Sequence, residues 1–230
     1  MTDQPPPGFV RVYHLTLLEH AKTNIQHRRL KVATFSDAND PFELLALDCR
    51  GRSKRAARKV LKRFKESQGD QIGLLCFSRS WTNPVLWSHY AGGHKGICLG
   101  FDVKADEVEE VKYADELLTV RLDGEQEPLS IPDDLQDLLF VTKFRHWEYE
   151  NEVRRFAPLS EAKQEGELYF WPFEDGMRLR EVILGPLCPR SELESVRALV
   201  AESKADALVS RARLGFGSFE VRPDGRYPPS

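Results

Sequence analysis

Trp147-Glu148-Tyr149-Glu150-Asn151-Glu152-Val153-Arg154 is the stretch on which the fold turns. As a strand running from Glu148 to Phe156, it alternates faces. Glu148, Glu150 and Glu152 then share one face with Arg154, and Tyr149 and Val153 take the other. Three aligned carboxylates repel one another unless a cation meets them, and Arg154 is placed to pair with one. In a cleft, such glutamates are candidates for orienting sugar hydroxyls or moving protons. As a helix, the same residues make an ordinary i, i+4 pair between Glu150 and Arg154, and the cluster is solvated surface. Both readings stand at this point.

The segments around it are easier to read. Phe9 to Thr16 alternates as a strand, and Leu17 to Arg28 carries helical spacing in Leu18, Ala21 and Ile25. Leu30 to Phe35 is β-branched and apolar, so it reads as a strand that enters the turn cluster Ser36 to Pro41. Ile72 to Phe77 and Gly96 to Phe101 are continuous apolar runs, as buried strands require. Ser191 to Ser203 reads as an amphipathic helix with a Ser191/Glu194 capping box. Ala207 to Leu214 and Ser218 to Val221 read as strands paired across Gly215-Phe216-Gly217. Strands that run consecutively, with scattered helices, predict an α+β fold of mixed and antiparallel sheets with flanking helices. The expected organisation is one domain over residues 9–222, with loose Pro-rich tails at 1–8 and 223–230.

Composition bounds the function. The chain has 230 residues and a net charge of −3, an ordinary globular balance with no strongly basic field. One local exception is Ser53 to Ser67 (SKRAARKVLKRFKES), a basic helix with an apolar stripe at Ala57, Val60, Leu61 and Phe64. Its basic face suits phosphates, and a plainly solvated face is the simpler alternative. Cys49, Cys76, Cys98 and Cys188 form neither a CxxC pair nor a disulfide framework. No basic-then-apolar leader opens the chain, and no apolar run reaches the roughly 18 residues of a bilayer span. A cytoplasmic protein with no membrane partner is the expectation.

Two more segments carry chemistry. In Asn39-Asp40-Pro41-Phe42-Glu43, proline fixes its own φ and extends Asp40. This is either a well-made turn or a rigid loop that shapes a pocket with Asn39, Asp40 and Phe42. Trp87-Ser88-His89-Tyr90, followed by Gly92-Gly93-His94-Lys95, offers stacking rings, hydroxyls and imidazoles beside flexible backbone. An aromatic core helix and a turn would also explain it. His89 and His94 lack the i, i+4 spacing of a helical metal pair, so no metal site is expected.

Asn39-Asp40-Pro41-Phe42, Cys76-Phe77-Ser78, Trp87-Ser88-His89-Tyr90 with His94-Lys95-Gly96, and Trp147 with Glu150, Glu152 and Arg154 resemble a widespread bacterial domain family of unknown function. The order and spacing agree from about Tyr13 to Gly185. More distantly, the layout is similar to the ADP-ribosyltransferase fold, with its split sheets. Tyr13-His14 resembles the first strand of that fold. Phe77-Ser78-Arg79-Ser80 resembles its middle motif, without the usual Ser-Thr-Ser, and Glu150-Asn151-Glu152 resembles its Glu-x-Glu.

The resemblance implies an NAD-using enzyme, a toxin or a phage-defence effector, with NAD as substrate and no tightly bound cofactor. It implies Glu152, Glu150 and His14 as catalytic groups. It implies Tyr13, His14, Ser78, Trp87 and Tyr90 as NAD contacts, with Ser78 bracing Glu152 and Tyr90 or Trp87 stacking on nicotinamide. Ser88, His89, His94 and Arg154 complete the expected pocket wall. Two alternatives remain beside it: a non-catalytic ligand-binding or sensor module, and a metal-independent nuclease or phosphodiesterase using His89, His94 and Lys95. The implied partners are a small nucleotide and, more weakly, nucleic acid.

Overall fold

A computed structural model describes residues 4–35, 38–48, 54–119, 131–174 and 176–230, the side chains at 54, 56 and 57 excepted. Ser36-Asp37, Cys49, Ser53 and residues 120–130 lie outside the described residues. In the first half run β1 (Phe9–Thr16), α1 (Leu18–His27), β2 (Arg29–Val32), β3 (Leu47–Asp48), α2 (Lys54–Gly69), β4 (Ile72–Ser78) and α3 (Pro84–Tyr90). The middle holds β5 (Ile97–Lys104), β6 (Glu109–Glu110), β7 (Lys112–Ala114), β8 (Leu118–Thr119), α4 (Asp133–Val141) and β9 (Thr142–Phe144). The last part holds β10 (Glu152–Pro158), β11 (Lys163–Glu165), β12 (Leu168–Pro172), β13 (Met177–Leu184), α5 (Glu192–Glu202), β14 (Leu208–Leu214) and β15 (Val221–Pro223). Short 3-10 helices cover Ala105–Glu107 and Arg145–Glu150.

The main sheet has eight strands in the order β15-β14-β13-β5-β1-β4-β10-β6, and smaller sheets flank it. Only β13 and β14 pair in parallel within it, which makes the fold mixed α/β. β5 is central and buried on both faces, which is why its sequence reads as an unbroken apolar run. β1 pairs with β5 along its whole length, yet meets β4 only at Tyr13↔Ser78. Lower down, β4 turns to a different partner, through the bridge Ala33↔Leu74. The sheet therefore runs on as one, but opens into a seam between β1 and β4.

Apolar side chains form three clusters around this sheet. Leu75 and Phe77 of β4 and Val153 and Ala157 of β10 face α1 and α5, through Ala21, Ile25, Val196 and Val200. On the opposite face, α3 packs Leu86 and Trp87 against Leu15, Cys98 and Ile183. Alongside it, α2 and α4 pack Leu61, Leu135 and Leu139 over Leu74, with Phe35 and Leu44. The seam opens between these last two clusters.

Several expectations change. The strand expected from Glu148 begins only at Glu152. Arg145–Glu150 is a 3-10 helix, and Asn151 turns the chain in the left-handed region at φ 44. Asn tolerates that region better than most residues, so the dual periodicity of the stretch reflects a real change of structure within it. The Ser191 capping box is absent, because Ser191 makes no side-chain cap and Glu194 bonds Arg197 instead. Between Glu107 and Tyr113 the chain forms two short strands, β6 and β7, separated by buried Val111. Residues past Arg222, expected as a tail, return to the sheet: Asp224 is buried against Arg226, and Ser230 exchanges backbone bonds with Val209.

Candidate functional site

The seam holds a cavity of about 250 Å³, lined by residues of both neighbouring clusters and by a group of charged side chains. Its walls come from strands β1 and β4, the turn at 38–43, helix α3, strand β9, the 3-10 helix and the start of β10. His14 shows how the seam is maintained. Its Nδ1 lies 3.1 Å from the Cys76 carbonyl, so Nδ1 carries the proton and donates. The ring thus meets a β4 carbonyl in the gap where β1 has parted from the strand. Burial lowers the His14 pKa below its ordinary value, so the imidazole is neutral, with a lone pair on Nε2.

At the cavity, Lys143 and Arg154 meet three carboxylates. Lys143 Nζ lies 2.5 Å from Glu150 Oε2 and 3.1 Å from Glu152 Oε2. Arg154 donates Nε to Glu152 Oε1 at 2.9 Å and grips Glu43 through both terminal nitrogens, at 3.0 and 2.6 Å. It also donates to the Phe140 carbonyl, and it is 0% exposed. The Cys76 thiol and the Tyr113 hydroxyl complete the surroundings of Glu152, the thiol donating to its carboxylate and the hydroxyl accepting its backbone N–H at 2.8 Å.

These contacts set the charge states. Burial raises the pKa of Glu152, but the attraction of Arg154 and Lys143 outweighs that, and the carboxyl is held below its ordinary value. At Glu43, burial prevails over Arg154 and the pKa rises. Burial alone would lower Lys143, but Glu152 and Glu150 raise it. Tyr113 is pushed up to about 12, first by burial, with Glu152 adding to it. Cys76 is also driven up by burial and by Glu152, so its thiol stays protonated and unreactive as a nucleophile. Three carboxyl groups thus meet two cationic side chains in this cluster.

The turn at 39–43 has two jobs. Asp40 is buried and accepts the Phe42 N–H at 2.9 Å, as an Asx turn does. Leu44 follows in the left-handed region at φ 60, held there by complete burial of its side chain. This contortion sends Glu43 inward to Arg154 and leaves Phe42 60% exposed, outside the cavity. Asn39 Nδ2 donates to the Tyr90 hydroxyl at 2.6 Å, and that hydroxyl donates to Glu150 Oε1. Burial first, and then Glu150, push the Tyr90 pKa up, so the phenol stays protonated.

The predicted residues divide accordingly. Tyr13, His14, Asn39, Ser78, Tyr90, Glu150 and Glu152 line one cavity. Arg154 and Asp40 support it from behind. Trp87 does not reach it: the indole is wholly buried and donates to the Trp81 carbonyl at 2.6 Å, so no stacking role is open to it. Ser78 does not brace Glu152, because its hydroxyl closes a turn with Ser80; Arg154, Lys143 and Cys76 do the bracing. Ser88 and His89 are exposed on α3, with His89 against the Tyr149 ring. His94 sits beyond the helix at φ 70, away from the cavity. Among the described residues, no group of three or more His, Cys, Asp or Glu could hold a metal ion.

Residues 86–155 match the model of a family described as a protein of unknown function, DUF2971. The DUF2971 span is less than half of the chain. It runs from α3 to β10 and carries Tyr90, Lys143, Glu150, Glu152 and Arg154; Tyr13, His14, Asn39, Glu43, Cys76 and Ser78 come from outside it. No curated protein and no solved structure matches the chain. No described helix is long and apolar enough to cross a membrane.

Glu43 and Lys143 are the groups that motif reading passed over. Glu43 follows directly on Asn39-Asp40-Pro41-Phe42. Lys143 interrupts the apolar run Leu138-Leu139-Phe140-Val141-Thr142-Lys143-Phe144, and a lysine in such a run needs a partner. Its ammonium also lies 4.8 Å from the Trp147 ring centre, which gives that indole a role.

Proposed function

We propose that the chain is an ADP-ribosyltransferase-type enzyme that uses NAD as its donor substrate. The observation that carries this reading is convergence: His14, Ser78, Tyr90, Glu150 and Glu152, from widely separated segments, line a single cavity. The cavity is small beside the roughly 300–1,000 Å³ of drug-sized pockets, so it accepts the nicotinamide-ribose end and leaves the rest of the dinucleotide outside. The carboxylate of Glu152, held ionised by Arg154 and Lys143, suits a cationic nicotinamide ring. Glu152, ionised and rigidly held, stands where positive charge develops on the ribose as nicotinamide departs, and preorganised charge of this kind lowers the barrier. His14 Nε2 accepts from a ribose hydroxyl. Glu150, linked to Tyr90, takes the proton of the attacking nucleophile.

One observation favours a second reading, a non-catalytic ligand-binding or sensor pocket. Both oxygens of Glu43, Glu150 and Glu152 already accept from protein donors. Nicotinamide release, followed by chromatography with nucleic acid and protein acceptors supplied, separates the two readings. The transferase reading expects release by the wild type and none by Glu152→Gln with near-ultraviolet circular dichroism unchanged. A rise in melting temperature with NAD but no release selects the binding pocket. The absence of both release and a thermal shift would exclude NAD as the ligand.

A further inference from the structure

Helix α2 presents a one-sided basic surface that the cavity does not use. Arg55, Arg58, Lys59, Lys62 and Arg63 are exposed on it, recurring at each turn of about 5.4 Å. Among the described residues, the ion pair on this face is Lys62 with Glu66, at 3.8 Å and largely solvent-exposed. A pair of that kind contributes little and does not neutralise the face. The whole chain carries a net charge of −3, so this concentration of positive charge is local. The apolar side of the helix is already spent: Leu61 is buried and Val60 and Phe64 pack into the cluster with Leu74 and Leu139. A helix that lies in a membrane interface needs its apolar face free for the lipid. The helix itself offers charge outward, from a fixed position, with the exposed Phe42 and Leu117 in the groove beside it.

We propose that α2 is a docking surface for the phosphate backbone of nucleic acid. The charge complementarity is sequence-independent, because exposed Lys and Arg on a helix meet phosphates, while no described feature of the face offers base-specific readout. The helix is also tied to the turn at the cavity: Lys65 donates to the Pro41 carbonyl at 3.2 Å, and Phe42, Arg58, Lys62 and Lys65 line one surface groove. A strand held on α2 therefore lies beside the turn that carries Asn39 and Glu43. The proposal stands on the helix alone and does not depend on the chemistry of the cavity.

The test is fluorescence anisotropy of the full chain with a labelled 20-nucleotide single strand and a 20-base-pair duplex, at several salt concentrations. Binding at low salt should weaken steeply as salt rises, with a log–log slope for three to five phosphate contacts of about −2.7 to −4.5 on the duplex and about −2.1 to −3.5 on the single strand. The variant Arg58→Gln/Lys59→Gln/Lys62→Gln/Arg63→Gln should lose at least tenfold in affinity and most of that slope. The charge-conserving variant Arg58→Lys/Lys59→Arg/Lys62→Arg/Arg63→Lys should bind as the wild type does, which separates charge from folding. No binding at 50 mM salt would overturn the proposal, and so would a neutralised variant that binds normally. Sedimentation with vesicles of phosphatidylserine and phosphatidylcholine supplies the last arm: tighter binding to them than to either nucleic acid would also overturn it.

Discussion

Two groups of buried charges sit on this sheet, and they are built differently. One is Arg11, Asp102 and Glu181, on the neighbouring strands β1, β5 and β13. Arg11 and Asp102 are direct cross-strand partners, and Arg11 Nε donates to Asp102 Oδ1 at 2.6 Å. Glu181 reaches the same guanidinium because β13 slips its register between Leu179 and Glu181 and because its neighbour across β5 is Gly100. A Cβ on Gly100 would stand 2.9 Å from that of Glu181. These charges zip three strands together. The other group, Glu43, Lys143, Glu150, Glu152 and Arg154, is gathered from a turn, two strands and a 3-10 helix, and most of it faces a cavity. Strand pairing alone would have produced the first group. Only a seam between strands makes room for the second, which borders open volume.

The largest expected effect breaks the second group. Arg154→Met leaves Glu43 and Glu152 buried with one cation between them, and should cost about 3–5 kcal/mol in denaturant unfolding. Arg11→Met should cost less, because Arg180 lies 3.7 Å from Asp102 and the Arg11 side chain keeps 12% of its exposure. An equal loss in both variants would erase the distinction between the groups.

The pH dependence comes next. Glu152 has a folded pKa below its unfolded one, so its contribution to stability is present above the ordinary carboxylate pKa. That contribution is lost as pH falls through the depressed value. Glu43 has the opposite sign: its raised pKa means that stability falls as pH climbs from the ordinary value through the raised one. Glu152→Gln should flatten the acid limb of the stability–pH curve, and Glu43→Gln should flatten the fall above it. Identical curves for both variants would refute these assignments.

Smaller again, Tyr90→Phe removes the hydroxyl that joins Asn39 to Glu150. Glu150 keeps Lys143, so the expected loss is about 1 kcal/mol, with a larger effect on any ligand-induced thermal shift. Smallest of all, replacing Arg11, Asp102 and Glu181 together by Met, Leu and Met should leave stability within about 1 kcal/mol of wild type, since well-packed apolar side chains substitute for a structural ion group. The ligand response should be unchanged. A collapse of the fold would show that these charges carry stability, and a lost ligand response in a folded variant would place ligand binding in the first group.

Local pattern alone determined the strands at β1, β4 and β5, the helices α1 and α2, and the mixed architecture, because apolar periodicity reports which faces are buried. It also singled out Glu150, Glu152 and Tyr90, because charged and aromatic residues packed into short motifs are visible wherever they fold; His14 was named by the resemblance to the ADP-ribosyltransferase fold. That resemblance also implied roles for Trp87 and Ser78, which burial and a local turn took away. What only the tertiary structure decided is which distant groups meet. Glu43 and Lys143 are unremarkable in their own segments, and each becomes intelligible once Arg154 and Glu152 are beside it. The seam is likewise invisible in β1 or β4, since each is a good strand by itself. It exists because the two share only one register pair, and pairing between strands is a property of the assembled sheet.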